Sequence, residues 1–85
     1  MHTDHVIPEY FELDREQKEF MQRFLFLDYA EEWNVLRFRK DDTTPTLKIK
    51  LETDMYLHKA DENYETVQLY LDVIERYKNE FHQFE

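Results

Sequence analysis

The stretch from Glu62 to Phe84 sets the tightest limit on what this chain can become. Its apolar residues Tyr64, Val67, Tyr70, Leu71, Ile74, Tyr77, Phe81 and Phe84 recur at the i, i+3, i+4, i+7 spacing of one helix face, with Glu65, Gln68, Asp72, Arg76 and Asn79 opposite. The spacing predicts a helix over 62–84, roughly 34 Å long at 1.5 Å per residue and able to serve as the spine of a small core. Asp61 or Asn63 is placed to cap it, and Glu62 and Glu65 sit in a first turn where the helix dipole favours acids. Leu69 falls near the polar edge, and with Val73 it widens the apolar arc beyond what one contact consumes.

Such a helix must find its partners within 85 residues, read here as a single domain spanning 1–85. A chain this short buries only about 60 to 65% of the surface its unfolded form exposes, so its core has to be rich. Seven Phe, six Tyr and Trp33 meet that need. There is no Cys, so neither a disulfide framework nor a thiolate metal site is available, and a reducing, cytoplasmic setting fits best. No run of apolar residues is long enough to span a membrane.

The N-terminal part, 1–8, reads as poorly ordered, with Pro8 disfavouring a helical Ile7 and with Tyr10, Phe11 and Leu13 available to pin the following segment to the core. His2, Asp4 and His5 read as a solvated tail and not as metal ligands, since a site needs ligands held in fixed geometry. Asp14 with Gln17 three residues on forms a capping box, which predicts a helix over 14–33. Phe20, Met21, Phe24, Leu25 and Leu27 make one apolar face of it. Phe26, Tyr29, Ala30 and Trp33 line up at helical spacing on roughly the opposite side. Three explanations compete for that second stripe: part of the segment is a buried strand, the helix is sandwiched between the sheet and the last helix, or Phe26, Tyr29 and Trp33 are exposed and anchor a partner.

Between the two helices, Leu36-Arg37-Phe38-Arg39 and Thr46 to Thr53 alternate apolar and polar, with Asp41-Asp42-Thr43-Thr44-Pro45 as turn chemistry between them. The alternation predicts a β-hairpin over 35–53, with Leu36, Phe38, Leu47, Ile49 and Leu51 facing the core. Arg37, Arg39, Lys48 and Lys50 then share a basic outer face, either paired with carboxylates such as Glu52 and Asp54 or open to an anionic partner. Met55 to His58 extends the second strand or forms a short third one, and His58 reads as a loop residue. The predicted architecture is α+β: a small two-layer domain of helix, β-hairpin, optional short strand and long C-terminal helix, both helices on one sheet face.

Function is bounded mainly by exclusion. Without Gly, the phosphate-cradling loop, the dinucleotide-binding turn and the EF-hand loop are all unavailable, and without Ser or Cys the usual acyl-transfer nucleophiles are missing. The chain therefore reads as non-enzymatic, with no cofactor and no metal. A net charge of −9 disfavours direct nucleic-acid binding, which relies on Lys and Arg neutralising phosphates. Outside residues 35–50, 18 of the 20 acids face only 6 of the 11 bases.

The expectation is a small acidic protein that binds another protein with a basic surface, as an inhibitor or regulator of a nucleic-acid-handling protein. Glu62, Glu65, Asp72 and Glu75 would form the acidic face, in the manner of a DNA mimic, and Phe26, Tyr29 and Trp33 the aromatic one. Small phage-encoded inhibitors of host defence, including anti-CRISPR proteins, are often built this way, and the likeness is one of size and charge only. The alternative is a self-associating structural protein that uses the aromatic stripe or the Leu69/Val73 edge as a homodimer contact, with basic hairpin and acidic helix faces complementing each other.

Overall fold

The structure is a computed structural model that describes residues 7–38 and 45–84. Among these residues it contains three α-helices and no strand: α1 (Arg15–Phe38), α2 (Leu47–Ala60) and α3 (Tyr64–Arg76). Short 3₁₀ turns at Tyr10–Glu12 and Phe81–Phe84 flank the three helices. The expected α+β arrangement is thus not formed, and the architecture is an all-helical one in which α2 and α3 pack most closely and α1 lies against both.

α1 begins where its capping box places it. The Gln17 amide donates to Asp14 Oδ1 at 2.8 Å and the Asp14 amide donates to Gln17 Oε1 at 3.1 Å, satisfying two of the helix's orphan donors reciprocally. The helix then continues past Trp33 through Val35 to Phe38, taking up most of the first predicted strand. Arg39 and the expected turn from Asp41 to Thr44 lie outside the described residues.

The second predicted strand is α2. Pro45 precedes Thr46, whose hydroxyl accepts from the Ile49 amide at 3.3 Å as an N-cap, and the segment that follows is dominated by Leu, Lys, Glu and Met, all good helix formers. Leu47, Lys50, Leu51, Asp54, Met55 and His58 are buried at i, i+3, i+4, i+7, i+8, i+11 spacing. Ile49, expected in the core, points outward at 51% exposure, because a helix sends residue i+2 to the far side of the face that holds Leu47 and Leu51. His58, expected in a loop, is fully buried in the last turn of the helix.

The link from α2 to α3 carries a Schellman motif. The Asn63 amide donates to the His58 carbonyl at 2.9 Å, the Glu62 amide donates to the Lys59 carbonyl at 3.1 Å, and Glu62 itself sits at φ 63°. That left-handed position is the one glycine normally fills, and this chain has none. Asp61 is therefore the C-cap of α2, and Asn63 opens α3 without a side-chain cap bond. α3 ends at Arg76, so it is about 20 Å long and not the 34 Å spine expected. Its buried residues are Thr66, Leu69, Tyr70 and Val73, which shifts the core face toward Leu69 and leaves Tyr64 and Leu71 exposed. A turn at 77–80 brings Phe81 and Phe84 back onto α1: Phe26 stacks on Tyr77 at 4.1 Å and lies 6.2 Å from Phe81, and Phe84 meets Trp33 edge-on at 5.4 Å. These aromatic contacts offset the helical bonds lost at the break.

The N-terminal segment straps α1 to α3. The Ile7 amide donates to the buried Thr66 hydroxyl at 2.9 Å, and the Phe11 amide donates to Glu65 Oε2 at 2.8 Å. Tyr10, almost fully buried, donates its hydroxyl to Asp72 Oδ2 at 2.5 Å and accepts from Gln22 Nε2 at 2.8 Å. Burial first, and then the bond to Asp72, push the Tyr10 hydroxyl up to about 12.

Candidate functional site

Two constellations stand out: a polar cluster inside the three-helix core and an apolar stripe outside it. In the core, the Tyr29 hydroxyl of α1 donates to Asp54 Oδ2 of α2 at 2.5 Å and lies 2.6 Å from the Tyr70 hydroxyl of α3. A phenol has one proton, so with Tyr29 donating to Asp54 it is Tyr70 that donates to Tyr29. The His58 ring sits 5.1 Å from the Tyr70 ring. Close by in sequence, Lys50 Nζ of α2 approaches Glu32 Oε1 of α1 at 3.1 Å. Burial is the main cause that raises both Tyr29 and Tyr70 above the ordinary phenol range; for Tyr29 the bond to Asp54 adds to it, while for Tyr70 the bond with Tyr29 works the other way. The Tyr29 hydroxyl thus connects all three helices through two buried hydrogen bonds.

The expected aromatic anchors belong to this interior. Phe26, Tyr29 and Trp33 are all buried, though in a bundle of helices and not between a sheet and the last helix, and Trp33 Nε1 donates to the Pro45 carbonyl at 2.9 Å, tying α1 to the residues just before α2. They present no exposed patch. The Leu69/Val73 edge is likewise fully buried and offers no dimer contact.

The exposed stripe is the opposite face of α1. Phe20, Phe24, Leu27 and Val35 are 67, 56, 53 and 51% exposed, and their spacing of four, seven and fifteen residues from Phe20 keeps them on one line roughly 22 Å long. Beside its N-terminal end is a shallow depression of about 460 Å³ lined by Leu13, Glu16, Gln17, Phe20 and Met21. Exposed Glu16, Asp28 and Glu31 border or interrupt the stripe, and Arg23 is the one exposed cation at its rim. The sequence holds this signal openly, as one of two apolar faces on a single helix.

The predicted acidic face is largely occupied by contacts within the chain. Glu65 receives the Phe11 amide, Asp72 receives Tyr10 and also Gln68 Nε2 at 2.9 Å, and Glu75 pairs with Lys78 at 2.8 Å. Glu62 stands in the turn before α3 and not on it. The basic face is also dispersed, since the described residues of the predicted hairpin arms belong to α1 and α2: Arg37 lies over the Trp33 ring at 5.4 Å, Lys48 is exposed on α2, Lys50 is buried against Glu32, and Arg39 is outside the described residues.

Compared with protein-family models, curated proteins and solved structures, the chain matches none of them. No helix among the described residues is long and apolar enough to cross a membrane.

Proposed function

We propose that this protein is a non-enzymatic protein-binding domain whose partner docks on the outer face of α1. The observation that carries the reading is the unbroken exposure of Phe20, Phe24 and Leu27 on a helix whose other face already fills the core. Two exposed phenylalanines one turn apart add nothing to the fold and lower solubility, which a functional contact accounts for. The carboxylates of Glu16, Asp28 and Glu31 beside the stripe favour a partner with an apolar centre and a basic rim, and they disfavour an anionic membrane surface or a nucleic acid. An inhibitor or regulator of a nucleic-acid-handling protein remains within this reading, because such proteins carry basic rims. Its contact now centres on α1, since the acids of α3 are taken up by Tyr10, Phe11, Gln68 and Lys78.

The test is position-specific photo-cross-linking in a lysate of the source cell. A photo-reactive phenylalanine at position 24 is expected to capture one discrete species, and Leu27→Asp in the same chain should abolish the capture. The same probe at position 64, exposed on α3, should not capture it. Equal yields from positions 24 and 64, or indifference to Leu27→Asp, would overturn the reading.

A further inference from the structure

We infer that the outer face of α1 binds the outer face of α2 on a second copy of this chain, in a heterologous, head-to-tail contact. The inference rests on the preceding reading of α1 as a docking face and names its occupant.

α2 carries an exposed stripe of its own. Ile49, Tyr56 and Leu57 are 51, 60 and 47% exposed, and with the exposed Thr53 and Ala60 they follow the i, i+4, i+7, i+8, i+11 line of a single helix face. That stripe is roughly 16 Å long and fits within the roughly 22 Å of the α1 stripe. The two therefore offer lengths suited to ridge-into-groove packing of one helix on another.

Charge decides between this pairing and the symmetric ones. The α1 stripe is bordered by Glu16, Asp28 and Glu31 against the single cation Arg23, whereas exposed Lys48 and Lys59 flank the two ends of the α2 stripe, with half-buried Glu52 between them. α1 on α1 would bring like carboxylates together, and α2 on α2 would bring like ammonium groups together. α1 on α2 sets acids against bases around an apolar centre, which is how complementary rims select a partner. Within a chain of net charge −9, α2 is the helix with a positive balance, holding three lysines against Glu52 and Asp54.

Phe20 and Phe24 together offer on the order of 250 Å² of apolar surface. That is a modest interface, so association is expected to be weak and concentration-dependent. Because the two faces differ, each pair keeps a free α2 face on one copy and a free α1 face on the other, and assembly proceeds past the dimer to rings or short filaments.

The experiment uses the full chain in sedimentation equilibrium and multi-angle light scattering. Wild-type mass should rise with concentration beyond that of a dimer. Phe24→Asp disables the α1 face and Tyr56→Asp the α2 face; both sites are exposed, and retained helical circular dichroism confirms that each variant folds. Each variant alone should stay monomeric. An equimolar mixture should double in mass and stop there, because one intact α1 face meets one intact α2 face. Leu27→Asp mixed with Ile49→Asp should reproduce the doubling.

A wild-type protein that remains monomeric through the high micromolar range overturns the inference while leaving docking of a different partner on α1 intact. A wild type that associates while the mixture stays monomeric overturns the pairing, and a Tyr56→Asp variant that still dimerises alone overturns it in favour of a symmetric α1 contact. Association unaffected by Phe24→Asp overturns both the pairing and the role of α1.

Discussion

Tyr29 and Asp54, on α1 and α2, meet through a hydroxyl-to-carboxylate hydrogen bond of 2.5 Å at the centre of the bundle, where Tyr29 is completely buried. Buried polar contacts of this kind tie helices to one register, because any sliding leaves a desolvated oxygen without its donor. Tyr70 completes the connection on α3 at 2.6 Å. Phenylalanine at position 29 keeps the ring and its edge-on contact with Tyr70 but removes both hydroxyl bonds. Tyr29→Phe should therefore cost about 1 to 3 kcal/mol in chemical denaturation. No loss of stability would mean that the hydroxyl cluster is not holding the helices together.

The same hydroxyls make the fold sensitive to alkali. Tyr10 is raised from 10.0 to about 12, and Tyr29 and Tyr70 are raised as well, all chiefly by burial. A raised folded-state value means that the native state holds its proton longer than the unfolded chain does. The stabilisation is thus complete below pH 10 and is lost as pH climbs, for Tyr10 between 10 and about 12. Stability should fall above pH 10 by about 1.4 kcal/mol per pH unit for each tyrosine involved. Urea midpoints across this range should drop, tyrosinate absorbance should appear together with loss of helical circular dichroism, and Tyr10→Phe should make the decline shallower. An identical slope in Tyr10→Phe would show that Tyr10 does not contribute.

The parts of the fold legible from sequence are those in which a local interaction and the core agree. Asp14 and Gln17 announce the start of α1 because a capping box involves only neighbours. α2 was hidden for the opposite reason. Three of its six buried positions are Lys50, Asp54 and His58, so the helical period of its core face is interrupted by polar residues, and the alternation of Leu47, Ile49 and Leu51 imitates a strand. Only the tertiary partners, Glu32 for Lys50 and Tyr29 for Asp54, make burial of those residues affordable, and they lie on another helix. The proposed docking surface is half legible for a related reason. Both faces of α1 are apolar, periodicity cannot rank them, and the choice fell to Phe81, Phe84 and Tyr77 packing on Phe26 and Trp33.

Glu62 occupies the left-handed C′ position after α2 at φ 63°, where a β-carbon clashes with the backbone. Glu62→Gly should raise stability by about 1 kcal/mol, seen as a higher urea midpoint with an unchanged slope. Glu62→Ala keeps the β-carbon and should leave stability nearly unchanged. If alanine stabilises as much as glycine, the gain comes from removing a charge in an acidic chain and not from backbone geometry.

Phe24 and Leu25 are adjacent in sequence and opposite in role: the first is 56% exposed on the α1 stripe, the second is 2% exposed in the core. Truncating a buried leucine removes transfer free energy and leaves a cavity, so Leu25→Ala should cost about 2 to 5 kcal/mol. Phe24→Ala loses a side chain that is mostly in water already, and stability should change by no more than about 0.5 kcal/mol. Partner capture and self-association should respond in the reverse order, surviving Leu25→Ala under conditions where that variant is folded and failing in Phe24→Ala. Thermal melts of the two variants beside a binding measurement check both halves. If Phe24→Ala were the destabilising change, α1 would be turned about its axis relative to the core, and the docking face would have to be sought along Phe26, Tyr29 and Trp33 instead.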